Sequence, residues 1–147
     1  MPNPRQPDLD IVVPVHNEPA ALEASVRMLH GHLSRGFPFS WQITIVEGAS
    51  TDGTLRVARR LMYELPEVSA MHLRTAGTLR ALRAASAATR AAVVVHMKAD
   101  LSADPSRLLP LVMPIMSGDR DVAIGDAECG FTAMRADLAR EPSLLAS

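Results

Sequence analysis

The sequence is short of lysine, cysteine and aromatic residues, and each shortage narrows what the chain can be. Lys98 is the single lysine among 15 basic residues, the rest being arginine. Cys129, the one cysteine, rules out an internal disulfide and suits a reducing compartment, as expected of a cytoplasmic protein. Aromatics make up 3% of the chain, so a core must be built from aliphatic residues and alanine. No apolar run approaches the roughly 20 residues that a membrane-spanning helix needs. A net charge of -1 leaves no basic footprint for nucleic acid. Several catalytic signatures are missing as well. No G-x-G-x-x-G follows the first apolar run, and no G-x-x-x-x-G-K-[ST] phosphate loop occurs. There is no G-x-S-x-G elbow, and the 5 histidines lack metal-ligand spacing. Only His30 and His32 lie close; two apart on a helix, they point to different sides and read as solvated surface groups.

What remains is a regular alternation of short apolar runs and helical stretches. Asp10–Val15 has strand length and closes on His16–Asn17–Glu18–Pro19, which is turn and helix-start chemistry. Proline at 19 suits a first helical position, where its missing N–H costs nothing. Leu22, Val26, Leu29 and Leu33 recur at helical spacing up to Gly36. Trp41–Val46 alternates as a strand and runs into Glu47–Gly48–Ala49–Ser50–Thr51–Asp52–Gly53–Thr54, a loop with N-cap residues for the next helix. That helix carries Leu55, Ala58, Leu61, Met62 and Leu65, and stops at Pro66. Val68–Leu73 is a short strand, and Gly77 opens a helix from about Thr78 to Thr89. Val93–Met97 is the next strand. Asp104–Pro105 starts a helix that Pro110 and Pro114 should kink or shorten. Asp121–Gly125 and Glu128–Met134 read as strands, and Arg135–Arg140 as a helical turn.

Strands alternating with helices imply a three-layer α/β/α fold with a mostly parallel sheet. Residues 1–9 read as a loose tail and 10–147 as one domain. In such sheets ligands sit beyond the carboxyl ends of the strands. The fold then gathers His16–Glu18, Glu47–Asp52 and Lys98–Asp100 at one sheet edge. Lys98 and Asp100, two apart, point to the same side of an extended chain. Cys129 reads as a small apolar core residue.

Five of these stretches, in order, resemble family 2 glycosyltransferases. Val12–Val13–Pro14–Val15–His16–Asn17–Glu18 is similar to the V-P-x-x-N-E opening of that family. Glu47–Thr54 resembles its D-x-x-S-T-D-G-T loop, and Arg74–Ala85, with Gly77 and Arg80, its glycine-and-arginine helix start. Met97–Lys98–Ala99–Asp100–Leu101 stands where the family carries M-D-x-D-L. The segment from Asp126 through Cys129–Gly130–Phe131 to Arg135 resembles the D-x-x-C-G-F-x-x-x-R segment of the polyprenyl-phosphate branch. The resemblance runs from about residue 10 to 140. It implies the nucleotide-diphospho-sugar transferase (GT-A) fold in shortened form, because Gly125 meets Asp126 where relatives carry a few dozen residues. It also implies inverting transfer from a GDP- or UDP-sugar to a polyprenyl phosphate met at the membrane surface. On this chain Pro14, His16, Asn17, Glu18, Glu47, Ser50, Asp52, Gly77 and Arg80 would bind the nucleotide. Lys98, Asp100 and Arg135 would be the catalytic positions, with Asp126 and Arg135 on the acceptor side.

The resemblance also implies Mg²⁺ or Mn²⁺ on the diphosphate, with Asp100 as its surviving acid. Lys98 replaces the leading acid of the metal pair. A unit charge ~4 Å away is worth about 4 kcal/mol at an effective dielectric of ~20, so a dication there would meet roughly 8 kcal/mol of repulsion. Lysine can instead supply the positive charge itself, as a point charge rather than a clamp. Leu79 stands where a second glycine is common and would crowd a phosphate near Gly77. Two functional readings follow. One is a nucleotide-sugar-dependent glycosyltransferase. The other is an inactive descendant that binds nucleotide, or serves structurally and dimerises through surface the shortened segment leaves bare.

Overall fold

The computed structural model describes residues 6–100, 102–125 and 129–140. β1 (Leu9–Val15), β2 (Trp41–Gly48) and β3 (Val68–Leu73) are joined by α1 (Pro19–Leu33) and α2 (Thr54–Glu64). α3 (Thr78–Ala88) leads to β4 (Val93–Met97), and a 3₁₀ turn at Pro105–Arg107 leads to α4 (Leu108–Met116). β5 (Val122–Ile124), β6 (Phe131–Arg135) and the single-turn α5 (Ala136–Ala139) complete the described chain.

The six strands form one sheet in the order β3-β2-β1-β4-β6-β5. β1 pairs in parallel with both β2 and β4, and β2 in parallel with β3. β6 runs antiparallel to β4 and β5. The sheet is therefore mostly parallel, with one returning strand.

Side chains alternate across it as a pleated strand requires. Ile11, Val13, Ile43, Ile45, Val95 and Met97 face one layer, where they are fully buried with Leu22, Val26 and Leu29 of α1, Leu61 of α2 and Leu108 of α4. Val12, Val46 and Val94 face the other, against Ala81 and Ala85 of α3 and Ala136 and Ala139 of α5. The abundant alanine thus has a place: small residues let α3 and α5 lie close to the sheet. Cys129 is buried in the larger core, as its apolar character suggested.

The order also sets where a site can form. From β1 the chain passes through α1 on one face to β2, and from β3 it returns through α3 on the opposite face to β4. Strand order reverses between β1 and β4, and a crevice opens beyond their carboxyl ends.

Several boundaries differ from the sequence reading. β1 begins at Leu9, and Asp8 is held: its N–H donates to Ser40 Oγ at 2.8 Å, and Ser40 N–H donates to Asp8 Oδ2 at 3.0 Å. α4 is nine residues long and carries Pro114 within it, ending two residues later. His30 is not a solvated group. Its Nε2 lies 2.6 Å from Glu67 Oε1, and its ring meets Trp41 edge-on at 5.3 Å.

One acid is buried within the sheet. Asp10 accepts hydrogen bonds from Gln42 Nε2 at 2.8 Å and Thr44 Oγ1 at 2.7 Å. Burial pushes its carboxyl above the ordinary range, against hydrogen bonds from Thr44, Thr89 and Gln42.

Candidate functional site

A cleft of about 410 Å³ opens at the carboxyl ends of β1, β2 and β4, where the strand order reverses. Pro14, His16 and Glu18 come from the first loop, and Gly48 from the end of β2. Thr75, Gly77 and Thr78 line it at the start of α3, and His96, Lys98 and Asp100 at the end of β4. The N-terminus of α3 therefore opens on the cleft, with N–H groups that no helical carbonyl satisfies.

The first two loops are tied together. His16 Nδ1–H donates to the Gly48 carbonyl at 2.6 Å, and Asn17 Nδ2 donates to His16 Nε2 at 3.2 Å. Asn17 N–H donates to Ser50 Oγ at 3.0 Å, while its Oδ1 accepts Thr51 N–H at 2.8 Å. Each loop turns on a non-glycine residue in the left-handed region, Asn17 at φ 53° and Ala49 at φ 51°. Gly48 is required for a different reason. A Cβ there would lie 2.8 Å from Ala76 Cα and 2.9 Å from the Thr75 carbonyl, so the β3–α3 loop can approach only glycine.

Of the nucleotide residues expected from the sequence, Pro14, His16, Glu18 and Gly77 line the cleft. The others hold its frame. Glu47 is fully buried: one carboxylate oxygen accepts from Ser50 N–H, and the other from His72 Nδ1. Burial pushes this carboxyl up, but the His72 and Ser50 hydrogen bonds outweigh it and leave it below its ordinary value. Asn17 and Ser50 form the loop tie. Asp52, just before the Gly53 N-cap of α2, accepts from Thr54 N–H at 3.3 Å and from its hydroxyl. Arg80 donates to Thr75 Oγ1 at 2.8 Å at the rim. Leu79, expected to crowd the cleft beside Gly77, is 44% exposed and is not among the lining residues.

Arg135 is not brought to the site. Because β6 is antiparallel, Arg135 pairs with Val93 while Phe131 pairs with Met97 at the cleft end. Four residues of strand place its backbone ~13 Å from the cleft end of β4. There it bridges Asp121 Oδ1 at 3.1 Å and Asp137 Oδ2 at 3.0 Å. Asp126 lies outside the described residues.

The end of β4 carries the charges. Asp100 Oδ1 accepts Ser102 N–H at 3.0 Å and the Ser102 hydroxyl at 2.5 Å. The Ser102 hydroxyl and N–H hold this carboxyl below its ordinary range, with a smaller effect from Lys98. His96, two residues before Lys98, shares its side of the chain. Burial first and the Lys98 charge second push its imidazole pKa down. His72 and His96 were not found from the sequence. The spacing of His96 from Lys98 was the available signal; His72 had none, since its partner lies on another strand.

These donors do not fit a divalent cation. Lys98 brings an ammonium where a carboxylate would be needed, and one of the two Asp100 oxygens, Oδ1, is already committed to Ser102. No group of three His, Cys, Asp or Glu side chains among the described residues is arranged to hold a metal.

The model of glycosyl transferase family 2 matches residues 10–137. A dodecaprenyl-phosphate galacturonate synthase of Rhizobium johnstonii is 27% identical over 122 residues, covering 80% of this chain and 35% of that protein. The succinoglycan biosynthesis protein ExoA of Rhizobium meliloti is 41% identical over 58 residues, which is 40% of this chain and 17% of that one. This chain therefore spans 17–35% of the length of these relatives. Among solved structures, the mannosyltransferase PcManGT of Pyrobaculum calidifontis, in complex with GDP-Man and Mn²⁺, superimposes with a TM-score of 0.65 at 19% identity. That match covers 94% of this chain and 47% of that one. Glucosyl-3-phosphoglycerate synthase of Mycobacterium tuberculosis, with Mn²⁺, UDP and glucosyl-3-phosphoglycerate, gives a TM-score of 0.67 at 17% identity, covering 90% and 58%. Both likenesses are of fold.

Proposed function

We propose that this chain, which belongs to glycosyl transferase family 2, binds a nucleotide-diphospho-sugar in the β1–β2–β4 cleft and passes the sugar to a polyprenyl-phosphate-type acceptor. The observation that carries the reading is the cleft itself. It stands at the reversal of strand order, has room for a nucleotide at about 410 Å³, and opens on the N-terminus of α3. The acceptor class is suggested by the dodecaprenyl-phosphate relative, and the donor class by the GDP-Man and UDP bound to the two solved structures.

The cleft residues have separate tasks. Pro14, His16 and Gly48 form the wall at the ends of β1 and β2. Glu47, Asn17 and Ser50 keep that wall in place through the loop tie. The α3 N-terminus and Lys98 face developing negative charge. An oxygen of the acceptor phosphate attacks the anomeric carbon from the side opposite the diphosphate. The new C–O bond forms as the old one breaks, and the electron pair leaves with the nucleoside diphosphate. The acceptor is already an anion at neutral pH, so no general base is needed. The preorganised positive groups supply the transition-state stabilisation. No helix among the described residues is long and apolar enough to cross a membrane.

A second reading, nucleotide binding without transfer, is favoured by Arg135, which is bound to Asp121 and Asp137 away from the cleft. The test uses the whole chain with radiolabelled GDP-mannose, UDP-glucose and UDP-galacturonate, and vesicles containing a polyprenyl phosphate. Label appearing in the lipid phase supports transfer. Nucleotide binding without label in the lipid supports the second reading. Absence of nucleotide binding in calorimetry removes both.

A further inference from the structure

The described lining of the cleft carries one cationic side chain, Lys98, beside the carboxylates of Glu18 and Asp100. Lys98 is the single lysine of the chain and, among the described residues, the only lysine or arginine lining the cleft. It follows the last paired residue of β4 and is exposed to the cleft rather than buried against the sheet. On the extended chain it shares a side with His96, which lines the same cavity beneath it.

The neighbouring acid does not absorb its charge. No carboxylate among the described residues forms an ion pair with Lys98, whereas Asp100 is turned to Ser102, whose N–H and hydroxyl both reach Oδ1. A carboxylate capped in this way on Oδ1 remains ionised. The Lys98 charge does reach into the cavity, because it lowers the basicity of His96 beyond what burial does. Gly77 and Thr78 place the open N-terminus of α3 on the same cleft. An anion there has a positive side chain and oriented N–H groups in one lining.

We propose that the Lys98 ammonium takes the diphosphate of the bound nucleotide in the place of a divalent cation, so that nucleotide binding requires no metal. This rests on the nucleotide-binding reading above. The same placement bears on transfer: when the bond from the anomeric carbon to the diphosphate breaks, the electron pair and the new charge arrive beside Lys98. An ammonium is a single point charge that hydrogen-bonds from three directions, so it supports a diphosphate without enforcing an octahedral arrangement.

The experiment is calorimetric titration of the whole chain with GDP and with UDP, in EDTA and again in excess Mn²⁺. It compares the wild type with Lys98→Met, Lys98→Arg and Lys98→Asp. The wild type should bind one of the two nucleotides with affinities in EDTA and Mn²⁺ that agree within about twofold. Loss of one charge-assisted contact should weaken binding by Lys98→Met roughly tenfold or more in both buffers, while Lys98→Arg retains metal-free binding. Lys98→Asp should bind poorly in EDTA and recover with Mn²⁺. Lys98 is exposed, and equal melting temperatures across the series establish that the variants are folded. Wild-type binding that appears only with Mn²⁺ overturns the proposal while leaving the nucleotide reading intact. So does a Lys98→Met protein that binds in EDTA as the wild type does. No binding of either nucleotide by the wild type in either buffer overturns the nucleotide reading, and the role of Lys98 with it.

Discussion

His72 stands beside Glu47 across the β2–β3 pair and donates its Nδ1 proton to a carboxylate that has no solvent exposure. The other oxygen of Glu47 receives Ser50 N–H, so one buried acid fixes both the strand end and the loop that follows. Replacing His72 with phenylalanine leaves that oxygen buried without a donor, at a cost of about 1–3 kcal/mol. Urea unfolding at neutral pH measures the loss. A His72→Phe protein as stable as the wild type would show that the pair contributes nothing.

The two buried acids make opposite contributions to acid stability. Glu47 is held below its ordinary value of 4.5, so its contribution is complete above that pH and is lost as pH falls through the lower folded value. Asp10 is raised above 3.8, so its contribution is complete below that pH and declines as pH rises through the higher folded value. The stability of the wild type relative to Asp10→Asn, which does not titrate, should therefore fall as pH rises above 3.8. Urea midpoints at a series of pH values test this. A gap independent of pH would mean that Asp10 has the same affinity for protons folded and unfolded.

Two glycines predict opposite outcomes. Gly48→Ala would drive a Cβ to 2.8 Å from Ala76 Cα, a backbone atom that cannot swing aside. A loss of about 1–3 kcal/mol is expected, with weaker nucleotide binding, because the β3–α3 loop forms a cleft wall. Gly31→Ala, within α1 and with nothing inside 4 Å of the added carbon, should gain roughly 0.5–1 kcal/mol. Thermal melting of both variants decides the matter; equal shifts would refute the steric argument.

Asn17 combines a left-handed backbone with two loop hydrogen bonds. Asn17→Ala loses the Thr51 and His16 side-chain bonds and keeps a Cβ at φ 53° without the amide that eases that conformation, for an expected loss of about 1–2 kcal/mol. Asn17→Gly loses the same bonds but relieves the strain and should be the milder change. If the two variants were equally destabilised, the hydrogen bonds alone would account for the loss.

Much of this was legible in the sequence, for reasons that also mark where reading stops. Val12–Val13 and Val93–Val95 announce buried strands, and the polar stretches after them announce the loops that meet at one edge. The mostly parallel sheet, the gathering of His16, Glu47 and Lys98, and the charge anomaly at Lys98 all follow from local chemistry. The direction of β6 does not. An apolar strand has the same alternation whichever way it runs, so Arg135 was assigned to the site although its strand carries it away. Nor could spacing show that Glu47 points inward, since the partner that turns it, His72, lies 25 residues away on the neighbouring strand. His30 escapes a local reading for a similar reason, because its partners, Trp41 and Glu67, come from separate parts of the chain.

Lys98 lies beyond the last paired residue of β4, outside both cores and outside every ion pair among the described residues. Its identity therefore sets the charge at this end of β4, between His96 and Asp100, while the sheet beneath carries none of the consequence. Folding and chemistry are separable at this position. A descendant can exchange an acid for a base there, and with it one kind of counter-ion for another, while the fold that presents the residue stays as it was.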